Sequence, residues 1–564
     1  MSSDLSHLPR QVRRRIEVWT EELTRHIYVP MASLSWRGFF TFDQLSSEEA
    51  LNGPFTAAPE GMAWGAKGEY GWFATTFTVK EEDAGVTLAS PIGLGGEMLV
   101  YCDGRACGSI DRHHPLVFLS FSAQVGEHTL LVESYAGHGQ LLEGGGPIPP
   151  SRAVYPPVAS HQQRISSSTV GRIEEEIYQL YCDVYTLTDL LRILEPTSLQ
   201  AQAVAAGLHD FTKIVDFERD HLSLVESCVR ARARLAPLLS MKNGSCAPRF
   251  STFGQSHIDL AWKWGVSETR RKVGRTYANQ LTLLERYPHY RFLLCEPALI
   301  EMLEEHHRPV FERVMARVQS GQIIAEGAFW VESDTNIPNA ESLAKQLIYG
   351  QRWFRAQCGA YATFAWLPDT FGFSASLPQL LSQAGVESFS TQKLLRADPE
   401  SERFPFTDFW WEGEDGTRIL STMCYRNNCA ITPRELHQRW HRDRVQQEGI
   451  EGLLFPFGYG DGGGGPDRDL VESMGRLFDL QGLPRIVVEG PREYFERIRE
   501  QVTNVHQGEL YLAWHRGTYS SQQRLKELNA RCEEVLREHA VWATLLDSFD
   551  HGREERWWKT LLFN

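Results

Sequence analysis

The pattern of apolar and polar positions divides the 564-residue chain into stretches with different periods. In the first stretch, apolar and polar side chains alternate, which indicates strands with one buried face. The dipeptide Asp103-Gly104 in this stretch predicts a hairpin turn. We therefore predict a β-rich, β-sandwich-like N-terminal domain at residues 1–169. Three segments carry the alternation: 73–79 (FATTFTV), 96–111 (GEMLVYCDGRACGSID) and 127–137 (EHTLLVESYAG).

The period changes twice further along the chain. Apolar residues recur at helical spacing in IEEEIYQLYCDVYTLTDLLRIL and LSLVESCVRARARLAPLL, which predicts a helical connector at residues 170–246. Apolar runs then alternate with helical stretches, as in RFLLCEP before ALIEMLEEHHRPVFERVMARVQSG, which is typical of a parallel α/β domain, barrel-like or an open sheet. We place this α/β domain at residues 247–508 and the beginning of a helical bundle at 509–564. The predicted fold class is thus multidomain.

Composition and charge narrow the choice of function. With 42% apolar residues, 16 Trp and 29 Phe, the chain can bury large cores, and its length predicts two or three domains. A formal charge of −15 argues against a nucleic-acid partner. No apolar run reaches the roughly 18 residues of a membrane span. The first 30 residues lack the apolar segment of a secretory signal, and the ten cysteines include no CxxC pair, so we predict a cytoplasmic protein. The sequence is compatible with a homo-oligomer but does not fix the oligomeric state.

Polar residues follow the apolar runs of the predicted α/β domain. In parallel α/β folds, functional groups gather at the carboxyl ends of strands. His257 and Asp259 follow the run FSTFGQS, and because residues i and i+2 of an extended segment point to the same side, the two can bind one metal cation. Other polar residues and aromatic rings follow later runs: Trp330, Glu332 and Asp334 in GAFWVESDTN, Asp369 in FAWLPDTFGF, and Asp461 in FGYGDGGGGP.

Carboxylates flanked by aromatic rings are the equipment of glycoside hydrolysis, in which one acid is a nucleophile or base and the other protonates the leaving oxygen. Aromatic faces bind sugar rings, and a cation held by His and Asp adds a Lewis acid. Each residue also has a plainer interpretation: an Asp at a strand end often caps a helix, tryptophans fill cores, and four glycines form a flexible loop. The glycine run lacks the Gly-Lys-Ser/Thr of a phosphate-binding loop, which argues against nucleotide binding.

Seven segments occur in a fixed order over roughly 270 residues: GQSHIDLAWKW, WVESDTNIPNAESLAKQL, WLPDTFGFSASLPQLL, STQKL, FWWEGEDGTRIL, FGYGDGGGGP and ELYLAWHRGTYSSQQ. Together they resemble the α-mannosidases of glycoside hydrolase family 38, in the bacterial and cytosolic or vacuolar branch. The β-rich segments LVYCDGRACGSIDRHH and VESYAGH are similar to the N-terminal domain of that branch.

The resemblance implies a retaining, zinc-dependent exo-α-mannosidase. Such an enzyme removes terminal α-D-mannosyl residues from oligosaccharides by double displacement. By position in the motifs, His257 and Asp259 match zinc ligands, and Asp369 matches the nucleophile that also binds the metal. Asp461 takes the place of the general acid/base. The resemblance further implies four residues of the sugar pocket: Trp262, Trp330, Asp334 and Lys393.

The chain departs from the family pattern at its end. Family members carry a further zinc-binding histidine in a segment that reads approximately Asn-Gln-Phe-His-Asp, and Asn564 matches its first position. The resemblance therefore implies a truncated chain, without this ligand and the C-terminal β-domains; His515 lies in another motif and does not replace it. Two alternatives to an active mannosidase follow: a catalytically impaired, truncated carbohydrate-binding remnant, or a metal-dependent sugar deacetylase, which also uses His and Asp around a cation.

Overall fold

The computed structural model describes residues 5, 8–138, 161–395, 404–423, 428–445, 449–511 and 513–563. Within these residues the chain is a mixed α/β protein of several parts: a β-rich region, a group of helices and a region of alternating strands and helices. None of the helices in these ranges combines the length and apolar character needed to cross a membrane.

The N-terminal region contains two helices and two large antiparallel sheets. Its elements are α1 (Arg10–Ile27), β1 (Tyr28–Ser33), β2 (Trp36–Thr41), α2 (Ser47–Leu51), β3 (Thr56–Ala58), β4 (Ala63–Trp64), β5 (Tyr70–Val79), β6 (Thr87–Ser90), β7 (Glu97–Cys102), β8 (Arg105–Ile110), β9 (Val117–Ser120), β10 (Gly126–Tyr135), β11 (Gln163–Arg164) and β12 (Thr169–Ile173). The strand order is β1-β12-β6-β9 in one sheet and β3-β2-β5-β10-β7-β8 in the other.

The two sheets bury apolar side chains against each other. Phe73 and Val132 from the six-stranded sheet share one buried cluster with Leu88 and Val170 from the four-stranded sheet. This arrangement agrees with the predicted sandwich. The predicted hairpin is also confirmed: Asp103 and Gly104 join β7 and β8, and both have positive φ angles, as a tight turn of this kind requires.

Two features of this region differ from the predictions. Residues 10–27 form the 18-residue helix α1, although the first stretch is predicted to consist of strands and turns. The boundary between residues 169 and 170 falls inside β12, which pairs with both β1 and β6 and so completes the four-stranded sheet. Strand β12 has only five residues and pairs with strands that are distant in sequence. Its alternation of apolar and polar positions is therefore too short to distinguish it from the helix that follows.

Three helices follow the β-rich region: α3 (Glu175–Leu191), α4 (Leu199–Ile214) and α5 (His221–Leu239). Helix α1 packs on α3 and α4. The Arg15 side chain donates hydrogen bonds to the hydroxyl and carbonyl oxygens of Thr212 at 3.0 and 2.9 Å, and the indole N–H of Trp19 donates to the carbonyl of Val215 at 3.2 Å. Helix α1, from the beginning of the chain, therefore packs as part of this group of helices.

The next region alternates strands and helices. Its elements are β13 (Arg249–Thr252), α6 (Val266–Arg286), β14 (Phe292–Leu294), α7 (Pro297–His306), α8 (Arg308–Gln319), β15 (Ile323–Ala325), α9 (Ala340–Cys358), β16 (Phe364–Trp366), β17 (Gly372–Phe373), α10 (Leu377–Gln383), β18 (Ser388–Thr391), β19 (Asp408–Glu412), β20 (Arg418–Met423), β21 (Asn428–Cys429), α11 (Pro433–Gln438), β22 (Gly452–Leu454), β23 (Gly458–Tyr459), α12 (Arg468–Arg476), β24 (Arg485–Val488), α13 (Pro491–Ile498) and β25 (Val505–Gln507).

Seven of these strands form a parallel series, β20-β18-β16-β15-β14-β13-β22. Single parallel bridges from Gly254 to Phe292 and from Gly327 to Ala365 join its pieces. Leu420 of β20 and Leu454 of β22, at opposite ends of the series, lie in one buried cluster with side chains of the strands between them, so the series shares one apolar core. Strand β19 runs antiparallel to β20 and is an exception to the predicted parallel order.

The segment that follows β14 forms two helices where the apolar period alone indicates one. Helix α7 ends at His306, and His307 has φ −140° before α8 begins at Arg308. Pro309 explains the break, because proline has no N–H to donate to the carbonyl four residues earlier and its ring clashes with that carbonyl.

The last described segment contains β26 (Leu510–Tyr511), α14 (Gln523–Leu545) and α15 (His551–Leu561). Strand β26 pairs with β17 of the preceding region, so the predicted boundary at 508/509 separates two paired strands. Helix α14 buries only Glu533 and Ala543 among its described side chains. Leu536 is half-buried, and six other large apolar side chains of the helix are exposed to solvent: Leu525, Leu528, Val535, Val541, Trp542 and Leu545.

The buried carboxyl of Asp408 gives the fold a testable pH dependence. It accepts a hydrogen bond of 2.7 Å from the Tyr494 hydroxyl, and burial raises its pKa to about 6. Because the folded state holds this proton more tightly than the unfolded chain, the contribution of Asp408 to the free energy of unfolding falls as pH rises from about 4 through 6, by about 3 kcal/mol in total. We expect the unfolding temperature of Asp408→Asn to exceed that of the parent at pH 8 and to match it near pH 4. An equal difference at both pH values would contradict this account.

Candidate active site at the strand ends

Four consecutive strand ends meet around one cavity of about 280 Å³. The loops that follow β13, β14, β15 and β16 provide most of its wall, and the residues after α15 complete it. The lining includes His257, Asp259, Glu296, Glu332, Asp334, Asp369, Leu562 and Phe563. Because the carboxyl ends of parallel strands lie at one edge of the sheet, residues separated by more than 100 positions become neighbours here.

His257 lies at the bottom of this site and is only 5% exposed. Its Nδ1 is 3.1 Å from Glu332 Oε2, and its Nε2 is 3.7 Å from Asp259 Oδ1. Burial disfavours the charged imidazole, but the carboxylates of Glu332 and Asp259 outweigh it and hold the pKa of His257 well above its usual value. The site therefore attracts positive charge.

Glu332 connects the strand ends to one another. Its Oε1 accepts the backbone N–H of Asp369 and, at 2.8 Å, that of Thr370. Its own backbone N–H donates to Glu296 Oε2 at 3.2 Å, and its Oε2 faces His257. A single side chain thus touches the loops after β13 and β16, while its backbone reaches the residue after β14.

Asp369 and Lys393 form an ion pair at the cavity. Lys393 Nζ lies 2.7 Å from Asp369 Oδ1, and the lysine side chain is buried. Both residues were predicted to belong to the site, and the structure brings them together. The ammonium group fixes the position of the Asp369 carboxylate, which also lines the cavity.

Asp461 approaches the site from the loop that follows β22 and β23. One of its carboxylate oxygens, one from Asp259 and a ring nitrogen of His257 lie within 4.8 Å of each other. The backbone N–H of Gly462 donates to the carbonyl oxygen of His257 at 3.0 Å, and Asn428 Nδ2 donates to Asp461 Oδ2 at 3.3 Å. The loop is thereby attached to the His257 segment.

These donors fit a divalent cation. Imidazole nitrogen and carboxylate oxygen are the ligands that zinc and related ions take. Among the residues that the structure describes, His257 Nε2 and Asp259 Oδ2 are buried atoms that lack a hydrogen-bond partner. Asp369, which the resemblance implies as the third ligand, is not in this group within the described ranges; Asp461 takes that place. Metal binding by Asp369 therefore stays a prediction.

The remaining predicted pocket residues lie in different surroundings. Asp334 lines the cavity, and its Oδ1 also accepts the backbone N–H groups of Asn336 and Ile337 at 2.7 and 2.8 Å, so it stabilises a turn. Trp330 is only 1% exposed and packs beneath Lys559, whose Nζ is 4.1 Å from the ring centre, which places it in the core and not on the cavity wall. Trp262 is 54% exposed and lies outside the lining residues.

His515, which by its motif is not expected to replace the missing ligand, lies near the cavity without joining a donor group in the described part of the chain. Its ring is 4.9 Å from that of Phe371, a lining residue. This histidine therefore contributes to the rim through an aromatic contact.

Comparison with known proteins identifies the region that carries the site. Residues 249–517 match the model of the glycosyl hydrolases family 38 N-terminal domain. This region is a family 38 glycosyl hydrolase domain. The chain is 27% identical to alpha-mannosidase 2C1 of Homo sapiens over 550 residues. This alignment covers 95% of this chain and 51% of that protein. It is 36% identical to the alpha-mannosidase of Saccharomyces cerevisiae over 303 residues, and that alignment covers 51% of this chain and 28% of the yeast protein.

The chain therefore spans about half the length of the human relative. Among solved structures, an alpha-mannosidase from Enterococcus faecalis V583 overlaps 56% of this chain and 38% of its own, with a TM-score of 0.49 and 20% identity. The match to the family model begins at Arg249, the first residue of β13, and continues through β26.

Glu296 is a residue of the family 38 domain that sequence reasoning missed. It is buried beside Glu332, and burial together with the negative charge of Glu332 raises its pKa to about 7. Its carboxylate, that of Glu332 and a ring nitrogen of His257 form a second group of donors within 4.8 Å. The signal was present, because Glu296 directly follows the apolar run RFLLC, just as His257 and Asp369 follow theirs.

Proposed function

We propose that the chain is a retaining, zinc-dependent exo-α-mannosidase that acts on terminal α-D-mannosyl residues of mannose-containing oligosaccharides. One observation carries the proposal: a single cavity in the family 38 domain is lined by an imidazole and several carboxylates at the carboxyl ends of its strands, and one of these carboxylates, that of Asp369, pairs with Lys393. The human and yeast relatives described above are both named alpha-mannosidases.

In the proposed reaction, two carboxylates of the chain have separate roles: Asp369 is the nucleophile, and Asp461 acts first as acid and then as base. The Asp369 carboxylate attacks the anomeric carbon while the glycosidic oxygen takes a proton from Asp461, and the remainder of the oligosaccharide leaves as an alcohol. Asp461, now ionised, removes a proton from water, whose oxygen attacks the anomeric carbon and releases Asp369. Two inversions at one carbon retain its configuration. Lys393 keeps the nucleophile aligned through the 2.7 Å ion pair.

His257 and Asp259 are the proposed holders of the metal, with Asp369 as the third ligand. A divalent cation bound there would polarise hydroxyl oxygens of the sugar as a Lewis acid. Glu332 Oε2 lies 3.1 Å from His257 Nδ1, on the side of the ring where metal-binding histidines commonly have a carboxylate partner.

The direct test is hydrolysis of a chromogenic aryl α-D-mannoside by the purified 564-residue chain, before and after treatment with a chelator. We expect hydrolysis of the α-mannoside and not of the matching β-mannoside, loss of activity with chelator, and recovery with zinc. The first sugar product, read by NMR, should be the α-anomer. A folded chain that hydrolyses no mannoside but binds mannose would instead indicate a carbohydrate-binding remnant, and acetate release from acetylated sugars would indicate a deacetylase.

A further inference from the structure

The glycine-rich loop that carries Asp461 rests against the N-terminal β-rich region. The ring of His113, in the segment between β8 and β9, stacks on the ring of Tyr459 with centroids 4.2 Å apart and an angle of 10°. A Cβ atom on Gly463 would lie 3.2 Å from His113 Cδ2 and 2.7 Å from the carbonyl oxygen of Gly460. A side chain at position 463 would therefore clash with the loop's own backbone and crowd the His113 ring.

The His113 segment is itself held in place. Asp111 Oδ1 accepts the backbone N–H of His113 at 2.7 Å and that of His114 at 3.0 Å, and both Asp111 oxygens lie 3.1 Å from His114 Nδ1. His114 is buried, and a Cβ on Gly464 would lie 2.8 Å from its Cε1. Consecutive residues of the loop therefore face consecutive residues of this segment.

A second contact reaches the loop from the other side. Lys272 Nζ lies 2.5 Å from Glu97 Oε2, at the start of β7, and 4.2 Å from the ring centre of Trp264. A Cβ on Gly462 would lie 3.1 Å from both Lys272 Cδ and Trp264 Cη2. The β-rich region therefore borders the loop through His113 directly and through Glu97 by way of Lys272.

The loop needs such external support. Asp461 has φ 54° and Gly462 has φ 73°, a left-handed pair that costs free energy at the aspartate. Glycine loses more backbone freedom on ordering than any other residue, and five glycines surround Asp461 in positions 460–465. Three backbone hydrogen bonds, from Gly462, Gly463 and Gly465, hold the loop internally and to His257.

We propose that His113 is a positioning residue, through which the N-terminal β-rich region holds the 458–465 loop so that Asp461 faces His257 and Asp259. The effect on catalysis rests on the proposed function, in which Asp461 is the acid and base. The effect on the loop itself does not require that the chain be active.

The first test is amide hydrogen exchange, read by mass spectrometry on peptides that cover 458–465. We expect His113→Ala to speed exchange in this loop about tenfold, because the free energy of the lost aromatic stack is then missing from the free energy of local opening. The unfolding temperature should change little. His113→Phe keeps a flat ring against Tyr459 and should restore parent-like exchange. Unchanged exchange in His113→Ala would overturn the proposal.

The matched control is His128→Ala. His128 belongs to the same β-rich region and stacks on Phe77 with centroids 5.3 Å apart, while its ring nitrogens contact Asp103 and Gln124. It should leave exchange at 458–465 as in the parent. Equal acceleration of the loop in both variants would mean a general loosening of the β-rich region and would also overturn the role of His113.

The second test compares leaving groups. A displaced acid impairs substrates whose leaving alcohol needs a proton, so His113→Ala should lower kcat/KM for methyl α-mannoside about tenfold more than for 2,4-dinitrophenyl α-mannoside. Equal losses on both substrates would contradict positioning of the acid. If the parent hydrolyses neither substrate, the proposed function fails, while the exchange experiment still decides whether His113 orders the loop.

Discussion

Replacing Asp369 with Asn is expected to lower kcat/KM for aryl α-mannosides about ten-thousand-fold, a loss typical of removing the group that attacks the substrate. The amide has the shape of the carboxylate and leaves Lys393 in place, but it has no anionic oxygen to attack the anomeric carbon. Steady-state rates of parent and variant on the same substrate, compared at equal zinc concentration, give the measurement.

The control for this substitution is Asp479→Asn. Asp479 also pairs with a cation, Arg485, at 3.0 Å, but it lies outside the cavity lining. Its replacement should leave kcat/KM within a factor of two of the parent. If Asp369→Asn retained most of the parent's activity, another carboxylate of the site would have to be the nucleophile.

Replacing Asp461 with Asn should produce a loss that depends on the leaving group. For methyl α-mannoside we expect a fall in kcat/KM of about a hundred to ten thousand-fold, the usual contribution of a positioned acid. For 2,4-dinitrophenyl α-mannoside, whose leaving group departs without a proton, formation of the intermediate should be nearly unaffected. Asparagine tolerates the left-handed backbone at φ 54°, so the loop itself should persist.

Asp467→Asn is the matched control for Asp461. Asp467 follows the same glycine run, but its carboxylate accepts the backbone N–H of Leu470 at 2.9 Å and caps helix α12, a function that asparagine can also perform. If Asp461→Asn lowered kcat/KM equally for both substrates, the acid role would be contradicted. Such a result would favour a contribution of Asp461 to metal binding, because its carboxylate lies within 4.8 Å of donor atoms of His257 and Asp259.

Several parts of this architecture could be predicted because their signals are local. Asp103-Gly104 specifies a turn through its own backbone preferences, and the structure contains that turn. The position of His257 after an apolar run was enough to place it at a strand end, and alternation of strands with helices was enough to indicate a parallel series. In each case the deciding signal lies within a short stretch of the sequence.

The rest depends on contacts between distant segments. Trp330 and Glu332 both follow β15, yet the ring lies in the core and the carboxylate at the cavity, because side-chain direction in a strand-end loop follows backbone angles that no period encodes. Glu296 becomes important only because Glu332 lies beside it. The four glycines after Asp461, which by composition resemble a flexible loop, are explained by the close approach of residues distant in sequence: Lys272, Trp264, His113, His114 and Gln280.

The contacts of Glu332 also bear on how freely this site could change over evolutionary time. Loops at the mouth of an α/β fold ordinarily accept insertions one at a time, since each is anchored only at its own two ends. Here one carboxylate joins the loops after β13, β15 and β16, so a lengthened loop at any of them would displace the other two. New specificities should therefore arise by replacement of side chains that Glu332 does not contact, such as those of Trp262 and Phe371, rather than by insertions into these loops.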